Sequence, residues 1–171
     1  MFRNVRWPIF LKNGLIAALF YCAAVFLFIK DARFQETWVL YVGNFLFVIV
    51  VVCFLVWFNR RRKQNKTSVS MFMAGHLLTA VGIAYSFIIC FILLIILIPG
   101  FLHTGQTEKI LKGVPANSIH DRTNGLAFIV FANALVGNLF TGAFVSLVFP
   151  FSMKEDPTTD KISSRQAELK P

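Results

Sequence analysis

Apolar residues fall along this chain in four long blocks that carry almost no charge, and they do not alternate with polar residues. The blocks span residues 13–29, 37–58, 69–98 and 125–149. A hydrocarbon core of about 30 Å needs about 20 helical residues. Because backbone groups in lipid must bond within their own segment, the blocks predict helices. We therefore expect an all-α polytopic membrane protein whose four transmembrane helices form an antiparallel bundle.

Prolines and charges set the expected ends of the blocks. The charge-free stretch from Thr67 to Ile98 would be about 48 Å long as one helix, so we expect the third helix to tilt, to project from the membrane or to begin with a surface turn around Ser68–Phe72. Pro99 and Pro150 are expected to end the third and fourth helices. Residues 1–151 form the predicted transmembrane domain, and 152–171 form a polar tail that we expect to be disordered. Since no small-x-small cleavage site follows the first block, it is interpreted as a retained anchor and not as a signal peptide.

The distribution of Lys and Arg predicts the orientation. The side that carries both termini holds twelve of the seventeen: Arg3, Arg6, Lys12, Arg60, Arg61, Arg62, Lys63, Lys66, Lys154, Lys161, Arg165 and Lys170. The opposite side holds five: Lys30, Arg33, Lys109, Lys112 and Arg122. Cytoplasmic loops are enriched in cations, so both termini should face the cytoplasm.

Composition supports the membrane class. Hydrophobic residues make up 57% of the chain and charged residues 15%, whereas soluble domains spend about a quarter of their residues on charge. The net charge of +9 has its densest segment in the second loop, at Arg60, Arg61, Arg62, Lys63 and Lys66. We interpret this segment as a topology determinant that contacts anionic lipid headgroups at the cytoplasmic face. A nucleic-acid site is disfavoured because no aromatic residues are interleaved with the cations.

Catalytic and cofactor motifs are missing from the sequence. Cys22, Cys53 and Cys90 fall in three different blocks without CxxC spacing, so neither a disulfide nor a metal site is expected. No nucleophile elbow, phosphate loop or HExxH motif occurs, so neither an enzyme nor a cofactor is predicted. His103 and His120 share the third loop with Glu108, which leaves a ligand-binding sensor as a minor alternative.

Transport is the sharper alternative to a purely structural role. Transporters of this size generally hold an ionisable residue inside the membrane, but all eight acidic residues lie outside the blocks. His76 is the one ionisable candidate within a block, and a hydrogen bond to a neighbouring helix or to interfacial water is its favoured role over proton transfer.

Small residues at helical spacing predict how the helices pack, because close backbone approach drives association in lipid. In the fourth block Ala134, Asn138, Gly142 and Ser146 recur every four residues, and a second row holds Asn133, Gly137 and Thr141. The other blocks contribute Asn13, Ala17, Tyr21, Ala24, Asn44, Gly75, Thr79, Ala80, Gly82, Ala84 and Ser86. These rows are expected to hold one bundle together, with a homodimer interface as the alternative.

Several segments together resemble a family of small four-span inner-membrane proteins of unassigned function, typical of Bacteroidetes-type bacteria. They are the Lys12–Ala17 entry, the opening of the third block at Ser70–His76, and Gly137–Gly142 with Ser146. The resemblance implies a four-helix unit in a bacterial inner membrane and carries over no catalytic or binding residue.

Two functional hypotheses follow. The first is a non-enzymatic accessory or scaffolding subunit of the inner membrane, with a membrane-protein partner or a second copy of itself. The second is a small transporter or channel whose polar path follows the fourth helix and His76.

Overall fold

The computed structural model describes residues 7–31, 33–65, 71–98, 101 and 125–152. In these ranges the chain is helical and contains no strand. Helix α1 covers Trp7–Asp31, α2 covers Trp38–Asn65 and α3 covers Met71–Leu97. A short 3₁₀ helix at Phe34–Glu36 precedes α2.

The last helical stretch has three parts. Helix α4 covers Leu126–Ala132, a π-helical segment covers Asn133–Gly137, and α5 covers Asn138–Ser152. We refer to these three parts together as the fourth span. Counted in this way, the described ranges hold four helical units that are long and apolar enough to cross a membrane. This finding indicates a multi-pass membrane protein.

Helix α1 begins six residues before the predicted block, at Trp7, because the block was drawn between charges and Lys12 interrupts it. Trp7 is followed by Pro8, which suits a first helical turn because proline lacks the N–H that would stay unbonded there. The exposed Lys12 extends from the helix surface, as long cationic side chains do near a membrane interface.

Two other predicted boundaries also differ from the structure. The second loop was expected at 59–66, but α2 continues through Asn65. Arg, Lys and Gln are good helix formers, and cations favour the negative end of the helix dipole, so this charged segment extends the helix. Pro150 was expected to end the fourth helix, yet α5 continues to Ser152. Pro150 lies two residues before the end of α5, so it disturbs only the last turn of this helix.

Helix α1 packs mainly against α3 and α2, and the fourth span packs mainly against α3 and α2 as well. Helix α1 and the fourth span therefore occupy opposite corners of the bundle. Large apolar side chains fill its centre, among them Phe28, Phe47 and Leu78, none of which is more than 1% exposed. Phe10 of α1 meets Phe54 of α2 edge to face, with ring centroids 5.4 Å apart.

Candidate functional site

The first small-residue row of the fourth span faces the inside of the bundle. Ala134, Asn138, Gly142 and Ser146 are all buried. Residues of the second row, Asn133, Gly137 and Thr141, are half-buried beside it. The opposite side of this span carries exposed Phe128, Leu135, Leu139, Phe140 and Phe144. The prediction that the row lies on an intramolecular packing face is consistent with this placement.

Glycines in these rows let side chains of neighbouring helices approach the backbone. A Cβ placed on Gly142 would lie 2.5 Å from Cγ2 and 2.6 Å from Oγ1 of Thr79. One on Gly75 would lie 2.7 Å from Cβ of Ser146. These distances are shorter than real Cβ contacts, so α3 and the fourth span meet where one of them lacks a side chain. Small residues allow this close approach in membrane helices.

The α3 row was predicted only in part. Gly75, Thr79, Gly82 and Ser86 are buried, whereas Ala80 and Ala84 are exposed. Ala80 and Ala84 follow Thr79 by one and five positions, and each step of one residue turns the helix by about 100°, which brings both onto the lipid-facing side. The exposed alanines are therefore not part of the α3 contact row, which includes the buried glycines and hydroxyl residues.

A π-helical segment interrupts the fourth span beside these contacts. It covers Asn133–Gly137 and ends directly before the buried Asn138. The hydroxyl of Tyr21 in α1 donates a 2.9 Å hydrogen bond to Oδ1 of Asn133, which joins opposite corners of the bundle. Single-turn π segments often occur at functional sites.

Asn44, Thr79 and Asn138 form what we call the polar patch, which is shared by α2, α3 and the fourth span. The Asn44 side chain packs against Gly137, and Thr79 packs against Gly142, on either side of Asn138. Asn138 is fully buried, and within the described residues neither its Oδ1 nor its Nδ2 has a hydrogen-bond partner. Asn44 Oδ1 and Thr79 Oγ1 are also buried without a hydrogen-bond partner among the described residues.

Amide and hydroxyl groups of this kind can bind water or a small neutral or monovalent guest. Buried polar groups without partners cost free energy, on the order of 1–3 kcal/mol each by mutational measurements. The two acidic residues of the described ranges, Asp31 and Glu36, lie at the far ends of α1 and of the 3₁₀ helix. The polar patch therefore offers neutral donors and acceptors and no carboxylate.

The hydroxyl groups of the fourth span bond within their own helix. Ser146 Oγ donates to the Gly142 carbonyl at 2.6 Å, and Thr141 Oγ1 donates to the Gly137 carbonyl at 2.8 Å. Such back-bonding satisfies a hydroxyl in lipid without help from a partner helix. These two residues therefore act in packing through their small size.

His76 lies apart from the polar patch. Its Nδ1 is 2.9 Å from the carbonyl oxygen of Phe72, one turn earlier in α3, and its ring is 4.2 Å from the Phe72 ring. Among the described residues the ring bonds within α3 and not to a neighbouring helix, and the alternative bond to interfacial water stays a prediction. Since the imidazole is anchored outside the contact row, the structure does not bring His76 together with Asn138.

The cysteines give a contact that the sequence analysis missed. Cys22 in α1 and Cys90 in α3 are both buried and free, with their sulfur atoms 3.9 Å apart. Cys22 also donates a long bond, 3.9 Å, to the Ser86 carbonyl oxygen. Cys53 is free too, but it is exposed on α2. A signal was present in the sequence, because each buried cysteine continues a row of small residues spaced by four.

Some predicted site residues lie outside the described ranges. Of the basic segment, Arg60 is exposed near the end of α2, and Arg61, Arg62 and Lys63 lie in the helical backbone. Lys66, the third-loop residues His103, Glu108 and His120, and the polar tail are outside the described residues. In the part of the chain that the structure describes, no three His, Cys, Asp or Glu side chains lie together in a way that could hold a metal ion.

Grooves open on the outer surface of the described part of the bundle. One, of about 690 Å³, lies between α1 and α2, with Lys30, Asp31 and Glu36 at its charged end. Another, of about 430 Å³, is wholly apolar and lies between α3 and the fourth span. Phe87, Ile88, Phe91, Ile92 and Phe131 line it.

Comparison of the chain with protein-family models, with curated proteins and with solved structures finds no match.

Proposed function

We propose that this chain is a non-enzymatic integral membrane protein of the bacterial inner membrane that works as an accessory or scaffolding subunit. One observation carries the proposal: the first small-residue row of the fourth span faces inward, whereas the outward faces of α3 and the fourth span carry large apolar side chains. Exposed residues there include Phe91, Ile92 and Ile96 on α3, with Leu139 and Phe140 on the fourth span. A surface of this kind suits contact with lipid and with another membrane helix.

The apolar groove between α3 and the fourth span supports a helical partner. Phe87 and Phe131 stack at its base, with ring centroids 5.3 Å apart. Association within lipid depends on van der Waals fit, and a groove beside bulky ridges provides such a fit. A second copy of the chain is the alternative occupant.

The proposed orientation is an antiparallel bundle with both termini in the cytoplasm. The contacts between helices support the antiparallel arrangement. Phe10 of α1 contacts Phe54 of α2, and Tyr21 lies beside Gly43, so the residue numbers of the contacts fall along α2 as they rise along α1. Gly75 contacts Ser146, and Thr79 contacts Gly142, in the same opposed sense. The charge distribution assigns the cytoplasmic side. The family resemblance supports a location in a bacterial inner membrane.

The test is to purify the chain with a tag at Pro171 from gently solubilised native membranes and to identify what accompanies it. We expect a stoichiometric membrane protein that is lost on Ile92→Trp, which fills the groove. Leu19→Trp is the matched control, because Leu19 is similarly exposed on α1. Equal retention of the partner by both variants would place its contact elsewhere. A particle containing only copies of this chain would replace the accessory role with a homo-oligomer.

The second candidate, a small transporter or channel, is favoured by the polar patch. Asn44 Oδ1, Thr79 Oγ1 and both polar side-chain atoms of Asn138 have no hydrogen-bond partner among the described residues, so they can bind a transient polar guest beside the π-helical segment. Transport that depends on this patch should fall at least about tenfold in proteoliposomes carrying Asn138→Leu. His76→Ala is the control, since His76 bonds within α3. Equal flux through wild type, Asn138→Leu and protein-free liposomes would remove this candidate.

A further inference from the structure

We infer that Cys22 and Cys90 form an intramembrane dithiol that is oxidised to a disulfide by a lipid-soluble quinone, covalently joining α1 to α3. Their sulfurs are 3.9 Å apart, while a disulfide needs about 2.05 Å, so the two atoms must approach by about 1.9 Å in total. Side-chain rotation shared between the two residues brings sulfur atoms together.

The helix contact holds the two thiols in this position. Cys22 and Cys90 each end a row of small buried residues. The α1 row is Gly14, Ala18 and Cys22, and the α3 row is Gly82, Ser86 and Cys90. At the other end, a Cβ on Gly14 would lie 3.2 Å from the backbone nitrogen of Gly82. Because the rows pack along their length, the cysteines are held facing each other.

The surroundings of the pair favour chemistry that leaves no charge behind. Cys22 is 4% exposed and Cys90 is fully buried. The nearest charged side chains along α1, Lys30 and Asp31, lie about 12 Å further along the helix. A charged thiolate, or an anionic thiolate complex of a soft metal ion, is costly in such a medium. A neutral dithiol and a neutral disulfide both suit it.

The reaction balances with a quinone of the membrane pool. The two S–H bonds break, one S–S bond forms, and the quinone takes up two electrons and two protons to become the quinol. The dithiol is the reductant and the quinone is the oxidant. Exchange with aqueous disulfides requires a thiolate as the attacking group, so burial insulates this pair from glutathione. The pair would therefore follow the redox state of the lipid phase.

The test uses the full chain in nanodiscs together with a short-chain ubiquinone analogue, whose fully substituted ring leaves no position for thiol addition. After treatment, the protein is denatured in SDS and its thiols are counted with a maleimide–polyethylene glycol reagent. The number of labelled thiols on the wild-type chain should fall from three to one, with one quinol formed per chain. Cys53→Ala should fall from two labels to none, and Cys90→Ala should keep both of its labels. The oxidised wild type should migrate as a monomer without reductant.

Three results would overturn the inference. The first is retention of three labels by wild type under quinone conditions that fully oxidise free dithiothreitol. The second is an equal loss of labels with oxidised glutathione in place of quinone, which would show that the pair is open to water. The third is label loss accompanied by dimers that vanish in Cys53→Ala, which would assign the oxidation to the exposed cysteine.

Discussion

Gly142→Leu tests whether the fourth span is held by close approach to α3. Even the first carbon of the new side chain would overlap the Cγ2 and Oγ1 atoms of Thr79, which lie 2.5 and 2.6 Å from the Cβ position. Overpacking of a tight core costs about 1–3 kcal/mol, and leucine adds three further carbons. We therefore expect Gly142→Leu to lose at least about 3 kcal/mol of stability.

Gly142→Ala should cost less than Gly142→Leu, because only its Cβ overlaps Thr79. Alanine is also a better helix former than glycine by up to about 1 kcal/mol, which offsets part of this overlap. Thr79→Ala removes both overlapping atoms. Adding it to Gly142→Ala should therefore recover most of the loss, a coupling that distant sites do not show.

The assay is thermal unfolding in detergent, followed by size-exclusion chromatography of the remaining monodisperse protein. For a chain of this length, about 1 kcal/mol corresponds to about 2–4 °C in Tm, so Gly142→Leu should lower Tm by at least about 6 °C. Ala84→Leu is the matched control, since Ala84 is exposed on α3 and should leave Tm nearly unchanged. Equal Tm values for wild type and Gly142→Leu would refute the packing argument.

Three further outcomes are expected. Tyr21→Phe removes the hydrogen bond to Asn133 and should cost about 0.6 kcal/mol, and at most about 1.7 kcal/mol, which are the mean and the maximum found for hydrogen bonds between membrane helices. The same thermal assay measures this loss, and Asn133→Ala combined with Tyr21→Phe should cost little more. Gly75→Ala brings its Cβ against Cβ and Oγ of Ser146 and should lower Tm, whereas Gly75→Ala with Ser146→Gly, which removes both of these atoms, should recover part of the loss. A cytoplasm-active reporter fused at Pro171 should be active, and activity of an exported reporter at that position would reverse the proposed orientation.

Much of the architecture is readable from hydropathy alone. Four charge-poor blocks predicted four spans, and the described residues hold four long apolar helical units, since each block carries enough apolar surface to cross a bilayer independently of its neighbours. The inward side of the fourth span was also readable, because Ala134, Asn138, Gly142 and Ser146 share one face by helical geometry. Charged helix ends were less predictable, since Arg and Lys are compatible with both a loop and a helix.

The meeting of distant residues depended on tertiary structure. Tyr21 and Asn133 are 112 positions apart, and Cys22 and Cys90 are 68 apart. Each lies near a small-residue row, but a row shows only which face packs and leaves open which helix it meets and at what height. Those choices come from the joint fit of all four helices, which also brought Asn44 and Thr79 to either side of Asn138. The sequence by itself determined the spans and their faces, whereas the polar patch and the thiol pair exist because of how those faces were matched.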